Sequence, residues 1–425
     1  MTKTRRTLSL LLYGVIGLSL AASAFAGEKK TVHFWHSMGA GNGERILALV
    51  DRFNKSQDKI EVVATFQGSY EETHAKLQAA VAGNIAPDVI QVERAYVEPY
   101  ANAGRLADLN PLLAADGMSA DIFVEGLMGY SYYNGDGKLY SIPFSRSTPI
   151  FYYNKDAFRE VGLDPEKGPK TWDDVYEYAK KLTKTEGGAT TRYGVTWPIA
   201  TWYFKANVAQ LGGSTINKDR TAIGFYENGV GLKVFEYWLK LRDEGLFQVT
   251  PVKDGPLIAR QAFINGTAAM FQESTSLIGT LTDNCDFEIG ACFLPTGGDK
   301  PAMPTGGANL AIMDSAKDMD ATWAFVKWLI TDPKGCLQFE LDSGYMPFTK
   351  DMVKSPAIQK LWADNPMYKV AFDQLEYAVD TEQHLYWAEL KTEILAAEQA
   401  VMNDNQDPKA TLESLYRSSQ DILSQ

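Results

Sequence analysis

The chain has 425 residues and carries 41 Lys and Arg against 53 Asp and Glu, a formal net charge of −12. That balance argues against a nucleic-acid or anionic-membrane partner, because both need a basic face. The length exceeds what one hydrophobic core usually serves, so two lobes are expected, and an apolar content of 45% can fill both.

The chain opens with Lys3, Arg5 and Arg6, an apolar run from Leu8 to Leu20, and the small-x-small triplet Ala24-Phe25-Ala26. This reads as a secretory signal peptide over residues 1–26, cleaved after Ala26. Its apolar core is too short for a span of roughly 20 residues, and polar Gly27-Glu28-Lys29-Lys30 follows at once. No Cys follows to take a lipid. A protein exported to the periplasm is expected, more acidic still once three basic residues are removed.

From Thr31 short β-branched runs alternate with amphipathic helices. Thr31 to Trp35 reads as a strand, and a helix from Gly43 carries Ile46, Leu49, Val50 and Phe53 on one stripe. Ile60 to Phe66 is the next strand. Ser69-Tyr70-Glu71-Glu72 has capping-box spacing and opens a helix bearing Leu77, Ala80 and Val81; Pro87 to Val92 then makes a third strand. Strand, helix, strand, helix, strand predicts a parallel sheet with helices on its faces.

Tyr132-Tyr133-Asn134-Gly135-Asp136-Gly137 is a turn signal, and Ile142 to Tyr153 continues as one long extended segment suited to a crossing between lobes. Beyond it, Thr171 caps a helix, Tyr193 to Trp197 is a strand, and Leu232, Phe235, Trp238 and Leu239 form a helical stripe, so the second lobe is α/β too. Ala268 to Gln272 and Phe287 to Leu294 read as strands. A helix with Phe325, Val326, Leu329 and Ile330 follows, and helices over Leu390 to Val401 and Leu412 to Leu423 close the chain. Of three cysteines, Cys285 and Cys292 either bridge a short loop in an oxidising compartment or stay free thiols. His33 and His36 would lie on opposite faces of a strand, so no metal site is expected, and no cofactor motif is present.

Several stretches occur together in a fixed order: Phe34-Trp35-His36-Ser37-Met38, Ala86-Pro87-Asp88-Val89-Ile90-Gln91-Val92, Pro149 to Phe158, Gly162-Leu163-Asp164-Pro165, Pro169-Lys170-Thr171-Trp172, Gly306-Gly307-Ala308 and Gly344-Tyr345-Met346-Pro347. In this the chain resembles the family 1 extracellular solute-binding proteins of ABC importers, from about Val32 to the C-terminus. The resemblance implies an α/β, two-lobed periplasmic-binding-protein fold (type II) with discontinuous lobes joined by a three-segment hinge. Crossings near Ser147, Glu273 and Tyr345 would put residues 27–146 and 274–344 in one lobe and 147–273 and 345–425 in the other. It implies a small-molecule ligand, delivery to ABC permease subunits in the inner membrane, and no catalysis; a monomer is the default.

The nearest likeness within the family is to members that bind glycerol-3-phosphate. Carried over residue by residue, their ligand contacts fall on Tyr70, Ser147, Ser274, Gly307 and Tyr345. Such residues at strand ends, helix starts and Gly-rich turns suit ligand capture in open α/β sheets, although Tyr70 can equally be an exposed first-turn residue and Gly307 a plain turn. Trp35, Trp197 and Trp202 are candidates for stacking on a polyol or sugar, with Trp197, at a strand end, preferred.

Two departures bear on the ligand. Those members place a Glu after an aromatic residue that follows Gln-Val, whereas Gln91-Val92 is followed here by Glu93-Arg94, which would bring Arg94 to the contact position. They also supply an Arg near the C-terminus, where this chain has His384-Leu385-Tyr386-Trp387. Either Arg94 and Arg146 take over an anion, making glycerol-3-phosphate or a related glycerophospho compound the ligand, or Glu93, Tyr386 and the tryptophans bind a neutral sugar or a glycerophosphodiester-like molecule. A secreted carbohydrate-active enzyme is the alternative of another class. Glu71, Glu72, Glu93, Glu98 and Glu273 stand near predicted loops, but no catalytic motif marks them.

Overall fold

The computed structural model describes residues 29–133, 135–379 and 384–425. The expected signal peptide with its cleavage point, and Asn134 of the expected turn, lie outside the described residues. The strands in chain order are β1 (Lys30–His36), β2 (Ile60–Phe66), β3 (Val89–Glu93), β4 (Ile142–Ser147), β5 (Pro149–Asn154), β6 (Lys184–Glu186), β7 (Ala189–Thr196), β8 (Phe247–Gln248), β9 (Ala268–Ser274), β10 (Ile289–Cys292) and β11 (Gly306–Ile312). They build two sheets, one ordered β2-β1-β3-β11-β4 and the other β10-β5-β9-β7-β6, with β8 paired to β7.

The first three strands are parallel, as the alternation with helices requires. The sheet is nonetheless mixed, because β11 enters from far along the chain and runs antiparallel to both β3 and β4. Helix Ala40–Ser56 buries Ile46, Leu49, Val50 and Phe53, the stripe expected of it. Helix Tyr70–Ala82 starts from a complete capping box: Ser69 accepts from the Glu72 amide, and the Glu72 carboxylate accepts from the Ser69 amide. Val32, Phe34, Leu49, Phe53, Phe144, Phe325 and Leu329 pack in one apolar cluster and Val195, Phe204, Trp238, Leu390 and Val401 in a second.

The long extended segment is two strands in different sheets, separated at Thr148. After Ser274 the chain does not stay with the first sheet, since β10 pairs antiparallel with β5 at the edge of the second. Residues 274–344, expected in one lobe, thus contribute an edge strand to the other sheet. Cys285, Cys292 and Cys336 are free thiols, and the Cys292 thiol donates to the Pro169 carbonyl at 3.4 Å. Among the described residues no helix is long and apolar enough to cross a membrane.

His36 ends β1 facing the core and is 2% exposed. Burial pulls its pKa down to about 4, so the ring folds neutral, with Nδ1 accepting from the Met38 amide. As pH falls below about 6.5, the unfolded chain takes up this proton first, and stability is lost until the folded ring also titrates near pH 4. The expected loss over that window is about 3 kcal/mol. It is measured as the difference in pH dependence of urea unfolding between wild type and His36→Gln; parallel curves would refute it.

Candidate ligand-binding site

Three segments lie side by side, and the first of them joins the two sheets. The first is Ser147-Thr148-Pro149, linking β4 to β5; the second follows β9 at Ser274-Thr275; the third is Tyr345-Met346. The Thr275 amide donates to the Thr148 carbonyl at 3.1 Å and the Met346 amide to the Arg146 carbonyl at 2.9 Å. Gln374 clamps the first, its amide nitrogen donating to Thr148 Oγ1 and to the Pro149 carbonyl. Helix Gln338–Ser343 ends at Gly344, whose φ of 82° turns the chain so that Tyr345 enters this region.

Tyr70, the first residue of its helix, meets residues from both sides here. Its hydroxyl is hydrogen-bonded to Ser145; desolvation raises its pKa well above the ordinary tyrosine value, with Tyr345 and Glu93 adding and Arg94 opposing. Burial raises the Tyr345 pKa to about 12, and its hydroxyl hydrogen-bonds Ser276. Ser276 in turn is 3.0 Å from Ser274 Oγ. Ser145 accepts from Gln91 Nε2 at 2.8 Å, and Gln91 Oε1 accepts from the Ser37 amide. Tyr70, Glu93, Arg94 and Tyr345 are thus near enough for their charges to act on Tyr70, and Ser274 bonds Ser276.

At the end of β3, Arg94 Nη1 pairs with Glu93 Oε1 at 2.6 Å, both side chains under 10% exposed, and the guanidinium lies 5.0 Å from the centre of the Tyr130 ring. The two residues are therefore neighbours in one place and not on opposite faces, because the chain turns into a short 3-10 helix at Arg94. Glu93 Oε2 and Arg94 Nε are buried with no hydrogen-bond partner. Deep polar atoms of this kind are normally satisfied.

Ser147 and Gly307 stand close by on neighbouring strands, with Ser147 opposite Gly306 and Gly307 opposite Arg146. The Trp202 ring covers Gly306, where an added Cβ would come within 2.4 Å of it, and its indole N–H donates to the Thr305 carbonyl at 3.3 Å. Of the three candidate tryptophans, Trp202 is the one that packs over Gly306 and Thr305, beside Ser147 and Gly307. Trp197, directly after β7, is 2% exposed and stacks on Phe247 at 4.2 Å within the core of the second sheet, its buried indole Nε1 without a hydrogen-bond partner. Trp35 lines a separate cavity of about 400 Å³ with His33, Ile85, Pro87 and Lys317.

Arg146, proposed from sequence as an anion anchor, is fully buried and held by Asn309 Oδ1 at 2.8 Å and by Thr305 Oγ1. Tyr386 caps helix Trp387–Met402, half-buried, its amide donating to His384 Nδ1 at 3.2 Å and its ring 5.8 Å from the His384 ring. The sequence reading missed Lys391, one turn further. Its ammonium reaches across from that helix to Glu71 at 2.6 Å. Burial opposes its charge, but Glu93, Tyr96 and Glu71 together hold its pKa above the ordinary lysine value. The available signal was spacing, since Lys391 stands four residues after buried Trp387, beside the apolar stripe of Leu390 and Ile394. Glu273, also a candidate, is buried, accepts from the Tyr203 hydroxyl and is raised by desolvation.

The fold is that of the two-lobed solute-binding proteins. The family model for bacterial extracellular solute-binding proteins matches residues 48–367, and the chain belongs to that family. It is 28% identical over 423 residues to the sn-glycerol-3-phosphate-binding periplasmic protein UgpB of Escherichia coli K12, an alignment covering 92% of this chain and 95% of the relative. UgpB from Mycobacterium tuberculosis, solved in complex with glycerophosphocholine, superposes with a TM-score of 0.81 at 26% identity, covering 93% of this chain and 99% of the other. The acarbose-binding GacH receptor of Streptomyces glaucescens superposes at 0.82 with 22% identity, covering 93% and 99%.

Proposed function

We propose that this chain captures glycerol-3-phosphate or a related glycerophospho compound in the periplasm and delivers it to the permease of an ABC importer, without chemical change. The observation that carries this reading is the orphaned pair at the end of β3. Glu93 Oε2 is an oxygen in want of a partner, and Arg94 Nε is a donor in want of an acceptor. One ligand hydroxyl can serve both, and the rest of the guanidinium suits a phosphate oxygen. The names of the relatives support the glycerophospho class. Residues 27–146 and 274–344 form one lobe and 147–273 and 345–425 the other, β10 excepted, hinged on the three side-by-side segments. Ligand contacts on both lobes select the closed state. Tyr70, Ser147, Ser274, Gly307, Tyr345 and Trp202 line the site with Arg94, and the mature protein begins after Ala26 and acts as a monomer.

A neutral sugar is the second reading, favoured by the same hydroxyl-matching pair and by the Trp202 ring. A thermal-shift screen with glycerol-3-phosphate, glycerophosphocholine and neutral sugars separates them. The expected result is a rise in Tm with a glycerophospho compound, corresponding to about 2.7 kcal/mol at a ligand concentration of 100 Kd, and no hydrolysis of any ligand. A rise with neutral sugars alone overturns the phosphate assignment, and measurable turnover overturns the binding role.

A further inference from the structure

The surroundings of Arg146, Arg94 and Lys391 differ. Arg146 is committed to Asn309 and Thr305 beneath the surface. Arg94 is paired with Glu93 on the side of the first sheet. Lys391 comes from the opposite side: its helix, Trp387–Met402, packs on helices Thr201–Gln210 and Val230–Asp243, and the latter rests on β8 of the second sheet. It crosses to the first, where Glu71 lies 2.6 Å away and the Tyr96 ring 5.9 Å. Glu93, the partner of Arg94, is the strongest charge acting on Lys391. The same helix, Trp387–Met402, also packs on the 3-10 turn Arg94–Tyr96, so Arg94 and Lys391 approach one stretch of chain from two sides.

The pair with Glu71 is not a tight structural ion pair. The Glu71 side chain is 57% exposed, so water competes for it, and such pairs contribute little. Lysine is a flexible point charge with three donors, able to turn from one acceptor to another with little loss. A second cross-cleft pair, Arg220 to Glu98 at 2.8 Å, holds the same two sides together without Lys391.

Resting on the glycerophospho reading above, we propose that Lys391 is the second phosphate-binding cation of this site, exchanging Glu71 for the ligand's anionic group as the cleft closes. A phosphate between Arg94 and Lys391 touches a cation on each side, so its binding energy is complete only when the two sides meet. Lys391 thus couples recognition of the anion to closure.

Calorimetric titration of glycerol-3-phosphate and glycerophosphocholine into wild type, Lys391→Met, Lys391→Arg and Glu71→Gln tests this. Lys391→Met should weaken binding at least tenfold and flatten its dependence on salt. Lys391→Arg should stay within about threefold, since the charge remains, and Glu71→Gln should bind as tightly or more tightly, because a competitor for the ammonium is gone. Equal losses in Lys391→Met and Glu71→Gln would make the pair a latch only and overturn the proposal, as would unchanged affinity in Lys391→Met. Thermal melts of each variant confirm that all are folded. If wild type binds neither phosphate compound, the glycerophospho reading fails and this one with it; if wild type binds and Lys391→Met is unaffected, only this one fails.

Discussion

Arg146→Met is expected to destabilise the protein by about 2–5 kcal/mol while leaving ligand affinity within a few-fold of wild type. The guanidinium is fully buried between β4 and β11, one amino group donating to Asn309 Oδ1 and the other to Thr305 Oγ1. Methionine is long enough to fill the space but offers no donor, so two buried acceptors lose their partner at about 1–3 kcal/mol each. Asn309 is also tied to Ser141 at 2.8 Å, so it cannot turn to another partner without breaking that bond. Arg146→Lys should fall nearly as far, since an ammonium cannot fork between the two acceptors. The measurement is the urea midpoint at unchanged m-value. A variant as stable as wild type but deficient in binding phosphate compounds would return Arg146 to the ligand site.

That residue shows where the sequence stopped being informative. An Arg next to a crossing serine reads as a ligand anchor, but β4 presents alternate residues to opposite sides, and the partners of Arg146 lie more than 150 residues away on and before β11. β11 itself, GGANLAI, has no alternation, begins with two glycines and was visible only as a motif; it converts a parallel sheet into a mixed one. Local signals fared better. The Ser69 capping box, the Ile46-Leu49-Val50-Phe53 stripe and strand Ile60–Phe66 depend on neighbours in the chain, and each is found where expected.

The site divided in the same way. Tyr70, Ser274, Arg94 and Tyr345 were nameable from position and likeness, because each stands at or near the end of a strand or helix. Trp197 and Trp202 are five residues apart with similar local context, and only the packing of the Trp197 ring on Phe247 assigns one to the core and leaves the other over Gly306. Lys391 was hidden because a lysine beside an amphipathic stripe usually faces solvent. What makes it different is the helix carrying Tyr70 on the far side of the cleft, which supplies Glu71.

Gly307→Ala should cost more than about 3 kcal/mol and abolish binding of any ligand. Two effects add. The φ of +86° strains any residue with a Cβ, and that Cβ would lie 1.8 Å from the Ser145 carbonyl oxygen, a backbone atom with no side-chain torsion to relieve it. The only escape is to part β11 from β4, and β4 carries Ser145, the partner of Tyr70, and Ser147. Gly104→Ala isolates the strain alone: φ there is +62° and nothing lies within 4 Å of the added methyl, so about 1–2 kcal/mol is expected, with binding intact. The contrast is measured by urea unfolding and ligand titration of the two variants side by side. Equal destabilisation would mean that the strands yield freely, and that their spacing is not what fixes Tyr70, Ser145 and Ser147 for the ligand.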